Sequence, residues 1–281
     1  MRKLKIAVLF DGAGLARLGL EQAGHTCTGY EIDPAKHHLS RMVGSGNCVL
    51  ADVRDVDLSS YDAVFASPPC QAWSDQNHVG ESRKRYGDKT MLEWALNLPH
   101  DILWVENVVS AETDAIMRRY ARTLFTSKWN AAQFLPSPIQ KRRRYVVGRF
   151  RAPYVYREFK YDYPALNACP AVLASEYGQG GMTADPDHER RKASRWYGRP
   201  LSLREMAYHQ GLEIPEGLIR SWWHPMPGYT QAQWFVNLSQ AIGNGVPTYM
   251  SRAFGEAYSL GKVSAQAEMF AALTTFPRAN D

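Results

Sequence analysis

The sequence is poor in cysteine and has no paired cysteines. Its four, Cys27, Cys48, Cys70 and Cys169, lie far apart with no C-x-x-C spacing. Neither a zinc knuckle nor a disulfide framework is suggested, and the expectation is a metal-free protein of a reducing compartment. No apolar run approaches the length of a bilayer span. Met1-Arg2-Lys3 leads straight into a strand-like stretch with no signal-peptide pattern, so no membrane partner is expected. Internal repeats are missing. Neither sign of charge dominates: 33 Lys and Arg stand against 28 Asp and Glu, net +5. Such a balance permits a polyanionic partner without requiring one. With 45% hydrophobic and 22% charged residues, disorder and collagen-like repeats are excluded. A chain of 281 residues can bury a large core without staples.

The first half alternates short apolar runs with helical stretches. Strands are expected at residues 6–10, 27–30, 48–50, 63–66 and 102–105, with a helix over 16–23 that stops at Gly24. Helical pattern returns at 203–210 and again after Pro247, while 151–200 is rich in Tyr, Pro, Gly and charge with weak periodicity. This reads as an α/β, doubly wound, mostly parallel sheet. The strands run into Asp11-Gly12, Glu31-Ile32-Asp33, Asp52, Ser67-Pro68-Pro69-Cys70 and Glu106-Asn107. Ligand crevices of open α/β sheets lie at the carboxyl ends of the strands, so these residues are expected to converge on one site.

Gly12-x-Gly14 between a strand and a helix suits a nucleotide-like ligand. Position 17 is Arg, so the full G-x-G-x-x-G is absent and a nicotinamide dinucleotide fits less well. Glu31 suits ribose hydroxyls and Asp52 an adenine amino group, an arrangement that fits S-adenosylmethionine; a plain structural turn with solvated strand ends is the alternative. Pro68-Pro69 fixes the backbone before Cys70 and presents its sulfur at a strand end. A thiolate there is a soft nucleophile.

These residues resemble, in order, the motifs of the S-adenosylmethionine-dependent DNA cytosine-C5 methyltransferases. Phe10-Asp11-Gly12-Ala13-Gly14 is similar to the first motif; Glu31, Asp33 and Asp52 follow it. Pro68-Pro69-Cys70-Gln71 with Ser74 is similar to the nucleophile motif, and Glu106-Asn107-Val108 and Gln140-Lys141-Arg142-Arg143-Arg144 to the next two. Arg204-Glu205-Met206-Ala207 with Gln210-Gly211, then Gly243-Asn244-Gly245-Val246-Pro247, resemble the last two. The resemblance covers about residues 6–150 and 201–260 and implies a class I methyltransferase (Rossmann-like) fold. It further implies a catalytic domain of residues 1–150 and 201–281, with 151–200 as a small, reduced target-recognition region.

In the chemistry so implied, Cys70 adds to C6 of a flipped-out cytosine in double-stranded DNA and so activates C5. Glu106 holds the N3 edge, and Arg142 and Arg144 face O2 and the nearby phosphate. S-adenosyl-L-methionine, which leaves as S-adenosyl-L-homocysteine, is expected against Phe10, Gly12, Gly14, Glu31, Ile32, Asp52, Val53, Pro69, Asn244 and Val246. Gln71, Ser74, Gln76, Arg83, Lys84, Arg85 and Tyr177 are expected at the DNA. The setting implied is a monomer in the cytoplasm of a bacterial or phage-infected cell, or at the nucleoid, with or without a restriction partner. The same chemistry on RNA or on single-stranded or modified DNA is the alternative, followed by a catalytically silent nucleic-acid-binding relative.

Three positions depart from the family pattern. Asp11 replaces the usual Ala, Leu15 the second Gly and Gly245 a Ser or Ala. Asp11 is expected near the sulfonium or in solvent, and Leu15 against the methionine part of the cofactor. His37-His38 are expected on a solvated helix face. Trp222-Trp223-His224 are expected in a packed aromatic cluster or stacked on nucleic acid. Pro170 to Gly178 resembles the segment that closes the target-reading domain, leaving about 20 residues (151–169) to read bases. So few side chains predict a relaxed context of two to four bases at most. Bisulfite sequencing of DNA from expressing cells checks this, and a strict six-base consensus would contradict it.

Overall fold

Ile6, Ala7, Val8 and Leu9 have no exposed surface, nor have Ala63, Val64, Phe65 and Ala66. Runs apolar on both faces belong to the centre of a sheet covered by helices on both sides, and that is where the computed structural model places them. It describes residues 3–70, 89–120, 125–130, 143–149, 201–212 and 224–259, with backbone alone at 125–130, 143–149 and 257–259. The strands are β1 (Lys5–Leu9), β2 (Thr26–Glu31), β3 (Cys48–Leu50), β4 (Ala63–Ala66), β5 (Leu103–Val108), β6 (Phe125–Asn130) and β7 (Arg143–Arg149). The helices are α1 (Leu15–Gln22), α2 (Pro34–Ser40), α3 (Thr90–Leu96), α4 (Ala111–Tyr120), α5 (Leu203–His209), α6 (Gln231–Asn244) and α7 (Thr248–Ser259).

The sheet order is β3-β2-β1-β4-β5-β7-β6. The five predicted strands pair in parallel, and β7 runs antiparallel to both β5 and β6. β6, β7, α3, α4 and α6 were not among the elements predicted by range. The chain steps outward from β1 to β2 and β3, then returns to place β4 on the other side of β1. The switch point, where such sheets bind ligands, therefore lies between β1 and β4.

Alternation along the strands divides the core. Ile6, Val8, Phe65 and Trp104 pack with Leu20 of α1 and Met250 and Phe254 of α7. Ala7, Leu9, Val64, Leu103 and Val105 pack on the other face with Leu92 and Leu96 of α3 and Met117 of α4. A third cluster joins Leu15, Leu39, Met206, Trp234 and Leu238 across α1, α2, α5 and α6. Caps define the helix starts. Asp33 accepts from the Ala35 and Lys36 amides with Pro34 at the first position of α2, and α5 and α6 each open with a capping box, Ser202 with Glu205 and Thr230 with Gln233.

Contacts across α1 bring the C-terminal helix to the first motif. A Cβ on Gly19 would lie 2.1 Å from both Ser251 Oγ and Thr248 O, so glycine lets α1 and α7 touch. A Cβ on Gly245 would lie 2.4 Å from Leu15 Cδ1. Leu15 is 1% exposed and sits in the third cluster. The expectation that it would crowd the cofactor is thus corrected: its side chain fills core space beside residue 245. The two departures from the family pattern are one packing solution.

Gly245 has φ −65°, which alanine adopts freely, so only the close contact bars a side chain. Gly245→Ala is expected to lower the unfolding free energy by about 1–3 kcal/mol through overpacking. In a Leu15→Ala background the same change should cost little. Urea unfolding of the four-member cycle measures the coupling; additive effects would show that the contact does not keep residue 245 a glycine.

Candidate active site

The loop after β1 is bracketed from two sides. The Asp11 amide donates to Tyr30 O at 3.0 Å, and the Asp11 carbonyl accepts from Gly14 N–H at 2.8 Å. The Gly12 amide donates to Glu31 Oε2 at 2.8 Å, and Glu31 Oε1 accepts from the Asp33 amide at 2.9 Å. Phe10 has φ +60°, the left-handed region that a large side chain rarely enters. Its ring meets Trp94 edge-on at 6.2 Å. Strain of this kind persists where surrounding contacts over-determine it.

Glu31 is 6% exposed, and burial pushes its carboxyl above the ordinary value against the pull of the two amides and Lys36. Beside it Ile32 is 62% exposed, and Leu50 at the end of β3 is also exposed. Large apolar groups on this rim, next to a carboxylate acceptor, suit an adenosine. Around Gly12 the nearest atom to a built Cβ is Phe10 O at 3.9 Å, so the loop leaves an open cradle there. Asp52 stands differently from expectation. Its carboxylate takes Arg54 Nε at 3.0 Å and Nη2 at 2.5 Å, which holds its pKa down at about 2, and it caps the short turn at Val53–Asp55. Val53 itself is buried in the core under the sheet.

On the other side of the switch point, Pro68 is buried and Pro69 and Cys70 are half-buried at the end of β4. Ser67 N donates to Leu9 O at 3.3 Å, tying this segment to β1. The buried Asn107 of β5 donates through Nδ2 to Pro68 O at 3.1 Å and accepts the Val108 amide at 2.9 Å. Glu106, 4% exposed, precedes it. Parallel pairing of Ala66 with Val105 brings Cys70 and Glu106 to the same rim. Cys27 and Cys48 lie inside the protein, where burial raises both thiols, Cys48 to about 12. Cys70 alone of these three sits at the rim.

The segment after α6 is held by Gln210, which has no exposed surface. Its Nε2 donates to Ile242 O at 2.7 Å, and its carbonyl accepts the Thr248 amide at 2.9 Å. Asn244 is exposed at the helix end, whereas Val246 packs into the core with Ile6 and Val8.

Residues 4–95 match the family model of the C-5 cytosine-specific DNA methylases. The chain resembles the C-5 cytosine-specific DNA methylases. No curated protein sequence matches it. Among solved structures it is similar to the Entamoeba histolytica methyltransferase EhMeth, with 12% identity, 92% of this chain and 98% of that one covered, and a TM-score of 0.57. A protein described as a DNA modification methyltransferase encoded within an E. coli prophage gives 14% identity, coverages of 92% and 99%, and 0.56. The S. pombe Dnmt2 methyltransferase gives 14%, coverages of 92% and 98%, and 0.53. At such identities the likeness shows the fold, a class I methyltransferase sheet.

Set beside the C-5 methylase motifs, the described residues place the first motif, Pro68-Pro69-Cys70, Glu106-Asn107 and the 243–247 segment in mutual contact or on one rim. Arg144 is placed by backbone only, opposite Val108 on β5. Arg142, Gln71, Ser74, Gln76, Arg83, Lys84, Arg85 and Tyr177 lie outside the described residues, as do Cys169, Trp222, Trp223 and the whole of 151–200. Two further expectations are corrected. Asp11 faces neither a ligand nor solvent; its side chain has no exposed surface and pairs with Arg17. His37 and His38 are half-buried, His37 bonding Cys48 O at 3.2 Å and His38 meeting Trp234 edge-on at 5.7 Å. Asn107, Ser67 and Gln210 hold the site segments in place and are not among the expected site residues. Only Asn107 carried a positional signal, as the polar residue directly after Glu106.

Among the described residues no group of three or more His, Cys, Asp or Glu is arranged to hold a metal ion. No described helix is long and apolar enough to cross a membrane.

Asn107→Asp keeps the side-chain size but turns a donor into an acceptor facing the Pro68 carbonyl. Loss of this buried bond is expected to cost about 1–3 kcal/mol in urea unfolding. A variant as stable as wild type would show that Asn107 does not clamp the cysteine segment.

Proposed function

We propose that the protein transfers a methyl group from S-adenosylmethionine to C5 of a flipped-out cytosine in duplex DNA. The observation that carries this reading is the Asn107–Pro68 bond, which ties the Cys70 segment to the strand bearing Glu106 beside the Gly12 loop. A nucleophile, a carboxyl group and a nucleotide-type cradle then share one rim.

The residues present fit the cofactor: Glu31 for the ribose hydroxyls, Ile32 for the adenine face, and the open side of Gly12 for the methionine part. When bound, S-adenosylmethionine supplies an electrophilic methyl group on a sulfonium. Asp52, already engaged by Arg54, is a weaker candidate for the adenine amino group than its position implied.

The side chains of the protein have the remaining work. The Cys70 thiolate adds to C6, because C5 of a neutral cytosine is a poor nucleophile and addition moves electron density onto it. Glu106 holds the N3 edge and supplies a proton as charge grows there. Arg142 and Arg144 are assigned to O2 and the flanking phosphate. Once C5 carries the methyl group, loss of the C5 proton to solvent water expels the Cys70 thiolate, and N3 returns its proton to Glu106, which restores the ring. The base must leave the duplex to reach a rim of this kind.

RNA is the second reading, because the chain between β7 and Leu201 is short for a reader of base edges. Incubation with labelled methyl donor and either duplex DNA or tRNA separates the two. Label is expected in DNA, with a loss of at least about 10³-fold in Cys70→Ser. Label in tRNA alone would select the second reading, and label in neither would remove the enzymatic one.

A further inference from the structure

The first motif carries a carboxylate where the resembling family has a methyl group, and the surroundings of that carboxylate are shaped to it. Arg17 Nε donates to Asp11 Oδ2 at 3.1 Å, and Ser40 Oγ donates to the same oxygen at 2.5 Å. Both side chains of the pair have no exposed surface. The rest of the guanidinium is fully engaged. Nη1 donates to Glu21 Oε1 and Ser45 Oγ, each at 3.1 Å, and Nη2 to Ser40 O at 2.7 Å and Val43 O at 3.0 Å.

Glycines make room for this cluster. A Cβ on Gly29 would lie 2.1 Å from Asp11 Oδ2, and a Cβ on Gly14 would lie 2.7 Å from Arg17 Nη2. Gly29 belongs to β2, Arg17 to α1 and Ser40 to α2, so three elements converge on one carboxylate.

We infer that Asp11 is a positioning residue for the cofactor loop, holding Phe10 to Gly14 in the shape that presents Gly12 and Glu31 to S-adenosylmethionine. The amide, the carbonyl and the Oδ2 oxygen of Asp11 are all committed, between them to three elements. The amide goes to β2, the carbonyl to Gly14, and the carboxylate to α1 and to the end of α2. The two residues it joins are the left-handed Phe10 and the Gly12 whose amide meets Glu31. An alanine at position 11 keeps the backbone bonds but leaves a buried guanidinium short of one carboxylate and a space beside Gly29. The residue usual in the family is therefore the wrong one in this chain. The inference rests on the cofactor reading above.

Its test is S-adenosylhomocysteine binding by calorimetry at 10 °C, with thermal melting of the free protein, for wild type, Asp11→Ala and Asp11→Asn. Asparagine keeps an oxygen for Ser40 and Arg17 and so preserves most of the shape. Asp11→Ala is expected to melt about 10 °C lower and to weaken S-adenosylhomocysteine about tenfold or more while folded. Asp11→Asn is expected to fall between it and wild type in both readouts. A lower melting point with unchanged affinity in the folded variants would make Asp11 structural only and overturn the inference. If the alanine variant does not fold, the affinity of the asparagine variant decides. Absence of binding in the wild type would instead defeat the cofactor reading, and this inference with it.

Discussion

Leu9 and Ala66 lie opposite each other in adjacent parallel strands, so the chain leaves β1 and β4 at the same rim. One exit becomes the glycine loop and the other becomes the Pro-Pro-Cys segment. Apart from Lys5 at the start of β1 neither strand has an exposed side chain, and their apolar runs cannot slip register without carrying every buried residue to the wrong face. The spacing between Gly12 and Cys70 is thereby set by backbone pairing in the most buried part of the molecule. β5 extends the same logic one strand further, bringing Asn107 and Glu106 to the rim.

Around that frame, polar side chains fix what backbone pairing leaves free. Glu31 takes the amides of Gly12 and Asp33, Asn107 takes the Pro68 carbonyl, and Gln210 holds the joint between α6 and α7. All three are buried, where a satisfied hydrogen bond costs much to break. The Asp11–Arg17 pair belongs to the same class at greater cost. Burial pushes the Asp11 carboxyl up, while Arg17 and Ser40 pull it back. Burial alone would lower Arg17, but the Asp11 and Glu21 carboxylates outweigh it and keep the guanidinium charged. Such a pair contributes little net stability compared with apolar packing, yet loss of either partner is severe. What it supplies is a defined loop shape.

The legible parts of the sequence were those governed by local rules. β1, β3 and β4 announce themselves as apolar runs closed by polar strand ends, and Asp33-Pro34 and Ser202 mark helix starts. β7 is harder to see because arginines frame its short Val146-Val147 centre. α6 carries a capping box at Thr230 and apolar residues at 234, 238, 241 and 242, which is a readable helix signal. Burial of Asp11 was not legible at all. It depends on Arg17, Ser40 and Gly29, which come from three elements, and a lone carboxylate beside a glycine loop otherwise suggests a ligand. The match of Leu15 with Gly245 was hidden in the same way, since residues at opposite ends of the chain meet only after α7 docks on α1. Of the proposed site, the rim and its order were readable, and the contacts that hold it rigid were not.

The central claim is that Cys70, at the rim shared with Glu106 and the Gly12 loop, forms a covalent bond to C6 of cytosine. Duplex DNA carrying 5-fluorocytosine tests it, because fluorine at C5 prevents the proton loss that releases the cysteine. With S-adenosylmethionine present, intact mass spectrometry after denaturation should show one DNA strand plus a methyl group attached to the protein, mapped to Cys70 and missing in Cys70→Ser. A protein that methylates cytosine without such an adduct, or forms it equally in Cys70→Ser, would contradict the account.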